Sequence, residues 1–326
     1  MNNKTDCEIV IWSQQATKIV KPIFYICILA TIIHLLFWIQ FIIYPTVRQR
    51  SMQWLYAYLV TDLLLLTRFF VFYAYHWWSM CVPYFLRTIM CYCEAIFDNY
   101  LNLIQSYILL ALNICRYLQI VYNHNVYALN HRCIIIAHIL IYFLPLISHI
   151  ILIKGGWSTL DDPKDDACDL LPTSLSIRLV FLLFSYVIPV TLALIFLLLS
   201  LSHIHNTDGI QTQQIVDARL KYHRQLIIQS SVFYSVWLIL WSPHLLVFPF
   251  YHKSTTIGSI AQILNYINIT VDPIVIAALD IRFLHSWTWP GNFIDRRTRR
   301  QRSVPVPVIM LSGPSDEIIE HSSNSM

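Results

Sequence analysis

Apolar residues gather into seven long runs, at about residues 19–43, 53–75, 90–121, 132–153, 178–202, 223–250 and 256–279, with polar connections between them. About 20 apolar residues in a helix cross the roughly 30 Å hydrocarbon core of a bilayer. The pattern predicts an all-α membrane protein, a seven-transmembrane helix bundle. Charged residues interrupt it at a few places: Asp62, Arg68, Glu94, Asp98, Arg116 and Asp272. A charge at such depth costs several kcal/mol, so these positions are the first candidates for function. Glu94, Asp98 and Asn102 follow i, i+4, i+8 and line one face of the third helix.

After the last run, residues 280–287 alternate polar and apolar positions at helical spacing. This predicts a short amphipathic helix on the inner leaflet, with Phe283, Leu284 and Trp287 facing lipid. The organisation expected is an extracellular N-terminus (1–18), one membrane domain (19–290) and a polar, Pro-containing cytoplasmic tail (291–326) expected to be disordered. Arg296 to Arg302 form a basic cluster suited to anionic inner-leaflet lipid, or a solvated tail. Prolines fall inside five runs (Pro22, Pro145, Pro189, Pro243, Pro273), where each removes a backbone donor and favours a kink.

Composition agrees with this class: 57 % hydrophobic and 12 % charged residues, with a mean hydropathy of +0.56. The formal net charge of +4 carries no message about nucleic acid, but its distribution does about topology. With the N-terminus outside, thirteen of the 22 Lys and Arg lie in inner segments and seven in outer ones. The positive-inside rule therefore favours N-terminus out and C-terminus in, across the plasma membrane; Lys18 and Lys21 before the first run pull the other way. Asn3-Lys4-Thr5 is a glycosylation sequon in a predicted outer segment, whereas Asn268-Ile-Thr270 lies within the seventh run. No cleavable leader pattern opens the chain, so the first run is expected to act as an uncleaved anchor.

Several short motifs now fall in order and at matching depths. Cys91 lies 25 residues before Arg116-Tyr117, the second run carries Leu59-Val-Thr-Asp62-Leu63, and the fifth carries Pro189. The sixth carries Trp241-Ser-Pro243 and the seventh Asp272-Pro273. Together they resemble the rhodopsin-like class of G-protein-coupled receptors over residues 19–290. The departures are Cys115 for the acidic residue before the arginine, Asp272 for an asparagine and Ile276 for a tyrosine. The first run also lacks a Gly-Asn pattern and the fourth lacks the usual tryptophan.

The resemblance implies a receptor for an extracellular ligand that activates a heterotrimeric G protein. It implies that Arg116, with Tyr117, is restrained at rest and meets the G protein on activation. Cys115 cannot supply the usual carboxylate, and Asp217 is the alternative restraint considered. A disulfide between Cys91 and Cys168 is implied, with Cys93 as a rival partner and Cys7 with Cys81 as a second pairing; connectivity does not follow from sequence. Asp62, Asn268 and Asp272 should meet at mid-membrane, where either a carboxyl is protonated or a cation such as sodium sits between the two acids. No other cofactor is expected.

For the ligand pocket the resemblance points to Asp98, about 27 Å along the helix from Arg116. There an aspartate would pair with a cationic amine or peptide, Tyr266 would orient the carboxylate and Trp241 would form the floor. Arg68 offers the competing reading. It reaches a depth similar to Asp98 and Glu94, and buried charges usually pair with one another, so an internal bridge is equally open, and the two readings need not exclude each other. The alternative to a cationic ligand is a divergent chemosensory receptor for a non-cationic one. Other classes fit worse. A retinal-type photoreceptor needs a lysine in the seventh run, and none lies between residues 256 and 279. A membrane zinc hydrolase needs helical ligand spacing that His34, His138, His149 and His244 do not show. A transporter would show repeated halves or Gly-rich broken helices, and the chain has six glycines.

Overall fold

The computed structural model describes residues 7–9, 12–48, 50–77, 81–122, 131–161, 168–207, 214–247, 250, 255–280 and 283. Seven helices among them are long and apolar enough to span a membrane. They are α1 (Gln14–Ile43), α2 (Gln53–Trp77), α3 (Tyr84–Val121), α4 (His131–Lys154), α5, α6 (Gln214–Val247) and α7 (Thr256–Leu279). The fifth, α5, is α-helical over Leu175–Leu182, makes one π turn over Leu183–Val187 and continues over Ile188–Thr207. Ser13, Ser174 and Thr255 cap α1, α5 and α7 by accepting from the N–H of Ala16, Ile177 and Gly258. Each cap satisfies one of the amide donors that a helix start leaves orphaned.

The third helix is the axis of the bundle. It is the longest, and its buried face runs from Arg87 to Ile120. By contrast α1 and α4 keep broad apolar faces outward, including Leu29, Leu35, Ile136 and Leu140. In water such faces would be costly; in hydrocarbon they are matched to the solvent. The main core lies between α2, α3, α5, α6 and α7 around Trp54, Tyr58, Ile104, Ile108, Phe233, Trp237 and Trp241.

The prolines leave identifiable marks. Pro273 has no N–H, which frees the carbonyl of Ile269 one turn earlier. The imidazole Nε2 of His34 on α1 donates to that carbonyl at 3.1 Å. Pro189 likewise frees the carbonyl of Ser185, and Ser106 Oγ of α3 shares its one proton between that carbonyl at 3.2 Å and the Leu103 carbonyl at 2.8 Å. Tyr107 of α3 donates to the neighbouring Phe184 carbonyl at 2.9 Å. The π turn of α5 is thus held by hydroxyls from α3.

Two short hairpin-like pairings cover the end of the bundle opposite Arg116. Strands β1 (Cys7–Ile9) and β2 (Cys81–Pro83) pair antiparallel. Strands β3 (Ser158–Asp161) and β4 (Asp169–Pro172) do the same within the connection from α4 to α5. The apolar pattern announced neither. Cys168, one residue before β4, is disulfide-bonded to Cys91 near the start of α3. Cys27, Cys93, Cys115 and Cys133 take part in no disulfide.

One expectation is corrected. Phe283 does not face lipid; it is fully buried and stacks on Phe37 of α1 with ring centroids 4.7 Å apart. An aromatic side chain gains more from this packed contact than from bilayer it could reach only at the interface. Leu284 and Trp287, the 291–326 tail with its Arg296–Arg302 cluster and Asn3 lie outside the described residues. So does the side chain of Asp217.

The disulfide closes a loop of 77 residues, which the chain-entropy model values at about 4 kcal/mol. Cys91→Ala and Cys168→Ala should each lower surface expression strongly, whereas Cys93→Ala leaves it near the unmodified level. Flow cytometry with an epitope tag reads the three. A silent Cys168→Ala contradicts the structural role.

Candidate functional site

Buried polar side chains follow the inward face of α3 from one end to the other. After Glu94, Asp98 and Asn102 the stripe continues through Gln105, Asn113 and Arg116, all buried. The steps are three or four residues, or whole multiples of a turn, so one helical face carries them all.

At the disulfide end Glu94 Oε2 accepts from the backbone N–H of Cys168 at 3.2 Å. Glu94 therefore holds the loop beside the disulfide. One turn deeper, Arg68 Nη1 of α2 lies 2.6 Å from Asp98 Oδ1, with both side chains almost fully enclosed. The internal bridge, one of the two alternatives left by the sequence, is the arrangement present. Tyr266 of α7 meets the guanidinium of Arg68 and so contacts the cation of the pair. Asn102 donates from Nδ2 to the Asp98 carbonyl at 2.8 Å. Its Oδ1 accepts from Trp241 Nε1 at 3.1 Å and from Asn265 Nδ2 at 3.3 Å. A single amide oxygen thus joins α3, α6 and α7. Trp241 in turn stacks on Trp237, centroids 4.1 Å apart.

At mid-depth the structure brings together Asp62, Asn268 and Asp272, as expected, and adds two groups. Gln105 Nε2 donates to Asp62 Oδ1 at 2.5 Å. Tyr58 donates to Asp272 Oδ2 at 3.0 Å, and Asn268 Nδ2 to the same oxygen at 2.7 Å. The phenol beside the Asp-Pro turn therefore comes from α2, while Ile276 fills its own position on α7 as packed hydrocarbon, 1 % exposed. Four oxygens of this cluster have no hydrogen-bond partner among the described residues: Asp62 Oδ2, Gln105 Oε1, Asn268 Oδ1 and Asp272 Oδ1. Oxygen-only donors of this kind suit a hard cation.

At the opposite end Arg116 turns inward and is 3 % exposed. Its Nη1 donates to the Leu226 carbonyl of α6 at 3.1 Å, and its Nη2 lies 3.8 Å from Met52 Sδ. Cys115, in the place of an acidic residue, accepts from Trp54 Nε1 through sulfur at 3.3 Å. Tyr117 sits on the outer side of α3 against Phe196, centroids 5.4 Å apart.

Tyr58, Gln105, Asn113 and Asn265 were not singled out from sequence. Gln105 and Asn113 could have been, because they extend the Glu94–Asp98–Asn102 stripe in register. Tyr58 lies one turn from Asp62, a weaker signal. Leu226 could not, since its contribution is a backbone carbonyl.

Removing one member of a buried ion pair leaves the other charged and unmatched, at about 3–5 kcal/mol. Asp98→Asn should therefore lower the melting temperature of the detergent-solubilised protein markedly. Arg68→Gln in the same chain should recover most of the loss. An Asp98→Asn protein as stable as the unmodified one contradicts the bridge.

These features can be set beside known proteins. A family model described as 7 transmembrane receptor (rhodopsin family) matches residues 41–275, most of the chain. Among curated proteins no sequence matches it. The match takes in six of the seven helices whole or nearly so, together with the Cys91–Cys168 disulfide and the Arg116 end of α3. The chain therefore belongs to the rhodopsin family of seven-transmembrane receptors, multi-pass membrane proteins that signal rather than catalyse.

Proposed function

We propose that this receptor sits in the plasma membrane with its N-terminus outside, Asn3 glycosylated, and couples an extracellular ligand to a heterotrimeric G protein through Arg116 and Tyr117. The observation that carries the coupling reading is the Arg116–Leu226 hydrogen bond. It joins α3 to α6 through one cation, which becomes available to a partner once α6 moves away. With this bond and the Met52 contact in place, the lack of an acidic residue at Cys115 does not leave Arg116 unrestrained, so basal signalling is low.

For the ligand, the Arg68–Asp98 bridge favours a molecule that is uncharged or carries both signs. A simple cation would have to replace Arg68 at Asp98 and strand a buried guanidinium, which costs several kcal/mol. The second reading keeps the cationic amine or peptide at Asp98. It is supported by the proximity of Glu94 to Arg68, which would receive the displaced guanidinium. Asn102 and Tyr266 touch the bridge and Trp241 touches Asn102, so these three would contact the ligand or answer to it in both cases. The cluster of Asp62, Gln105, Asn268 and Asp272 would hold a sodium ion by its four unpartnered oxygens, which would neutralise the two acids while the receptor rests.

Arg116→Ala should leave surface expression and ligand affinity close to normal and reduce agonist-stimulated nucleotide exchange at least tenfold, a loss of about 1.4 kcal/mol of coupling or more. Undiminished exchange overturns the role. On the ligand side, an agonist whose potency falls about 30-fold or more on Asp98→Asn, in protein of normal expression, selects the cationic reading. An agonist indifferent to that change but lost on Arg68→Gln selects the other.

A further inference from the structure

Between α4 and α5, in the half of the bundle that carries the disulfide, lies a groove of about 720 Å³. This is within the roughly 300–1,000 Å³ range of small-molecule sites. Its walls are hydrocarbon and aromatic, among them Leu144, Ile151, Ile177 and Phe184, and no lining residue is charged. Leu144 and Phe184 are 60 % and 56 % exposed on faces that meet the bilayer. The opening therefore faces lipid chains rather than water.

The hydroxyls that reach this groove have different fates. Ser148 donates to the Pro145 carbonyl at 2.7 Å, and Tyr107 to the Phe184 carbonyl at 2.9 Å. Ser176 lies in the first turn of α5. Ser185 is the exception: it lines the groove, is 2 % exposed, and its Oγ has no hydrogen-bond partner. A buried hydroxyl left unmade in a non-aqueous surrounding is costly. It also sits in the π turn, an irregularity often found at functional positions. Nine residues separate it from Ser176, about 13 Å along the helix, so it lies well inside the membrane-spanning part of α5.

We propose that this groove is a binding site for a neutral, membrane-borne molecule, mostly hydrocarbon, with one carbonyl or hydroxyl oxygen that pairs with Ser185 Oγ. Charge is excluded by the lining and by the approach through hydrocarbon. A purely apolar occupant would fill the volume but leave Ser185 unmatched, so bulk acyl chains are the weaker fit. Occupancy would bear directly on α3, because the same π turn is held by Ser106 and Tyr107. The site is separate from the Arg68–Asp98 centre and does not depend on the ligand reading given above.

The test uses the full-length receptor in phosphatidylcholine vesicles and a diazirine-tagged long-chain ketone, with the same tag on an alkane of equal length as control. After irradiation, mass spectrometry should find the ketone concentrated on residues 140–152 and 176–185, competed by untagged ketone, with the alkane spread over all lipid-facing helices. Ser185→Ala should weaken ketone labelling of the groove about fivefold, the size of one ordinary hydrogen bond, without altering alkane labelling. Leu144→Trp, at an exposed position that tolerates the change, should block the groove and remove the concentrated labelling. Ketone labelling as diffuse as the alkane's, or unmoved by both substitutions, overturns the proposal. So does a cross-linked receptor dimer through 140–152, which would make the groove a contact between two copies.

Discussion

A charge enclosed by helices in hydrocarbon has no water to turn to, so the bundle itself must supply its partner. In this receptor α3 is where that matching happens. Its inward stripe of Glu94, Asp98, Asn102, Gln105 and Arg116 binds, in turn, the loop at Cys168, Arg68 of α2, Trp241 and Asn265, Asp62, and Leu226 of α6. The remaining helices are positioned relative to this one rod. Apolar packing gives the bundle volume, but hydrocarbon packs against lipid almost as well as against another helix. The polar contacts are what distinguish this arrangement from others of similar apolar fit.

The same contacts suggest how a signal could cross the bundle. Arg68–Asp98 lies near the disulfide end and Arg116–Leu226 near the other, with the Asn102 junction and the two-aspartate cluster between them. Each is a set of directional bonds, and Arg68 has Glu94 as a second partner in reach, which is what a two-state element needs. Pro189 and Pro273 add places where the helix ladder is already broken. There Ser106 and His34, rather than the helix itself, hold the freed carbonyls. A side chain can release a carbonyl without unwinding a turn.

Much of this was legible in the sequence because membrane helices obey few rules. Seven apolar runs correspond to the seven helices, with ends moved by up to nine residues; α3 begins at Tyr84, six residues before its apolar run, and α6 at Gln214, nine before its own. The buried charges were legible for the same reason, since any ionisable residue stands out in such a run. Partner choice was less so. Asp98 could face a ligand or Arg68, and only the packing of α2 against α3 decides. Backbone partners such as the Leu226 carbonyl leave no trace in side-chain identity. The π turn and the β3–β4 pairing depend on contacts with α3 and on loop geometry that periodicity does not report. The local amphipathic pattern points Phe283 to lipid because nothing near it in the chain encodes Phe37, its stacking partner 246 residues away.

The central claim is that Arg116 fastens α6 to α3 through the Leu226 backbone carbonyl. Nitroxide labels at Tyr122 and Arg224, both exposed near the ends concerned, measure that spacing directly by pulsed electron resonance. In the receptor without agonist, Arg116→Ala should lengthen and broaden the distance distribution. A distribution that superimposes on that of the unmodified receptor would contradict the account.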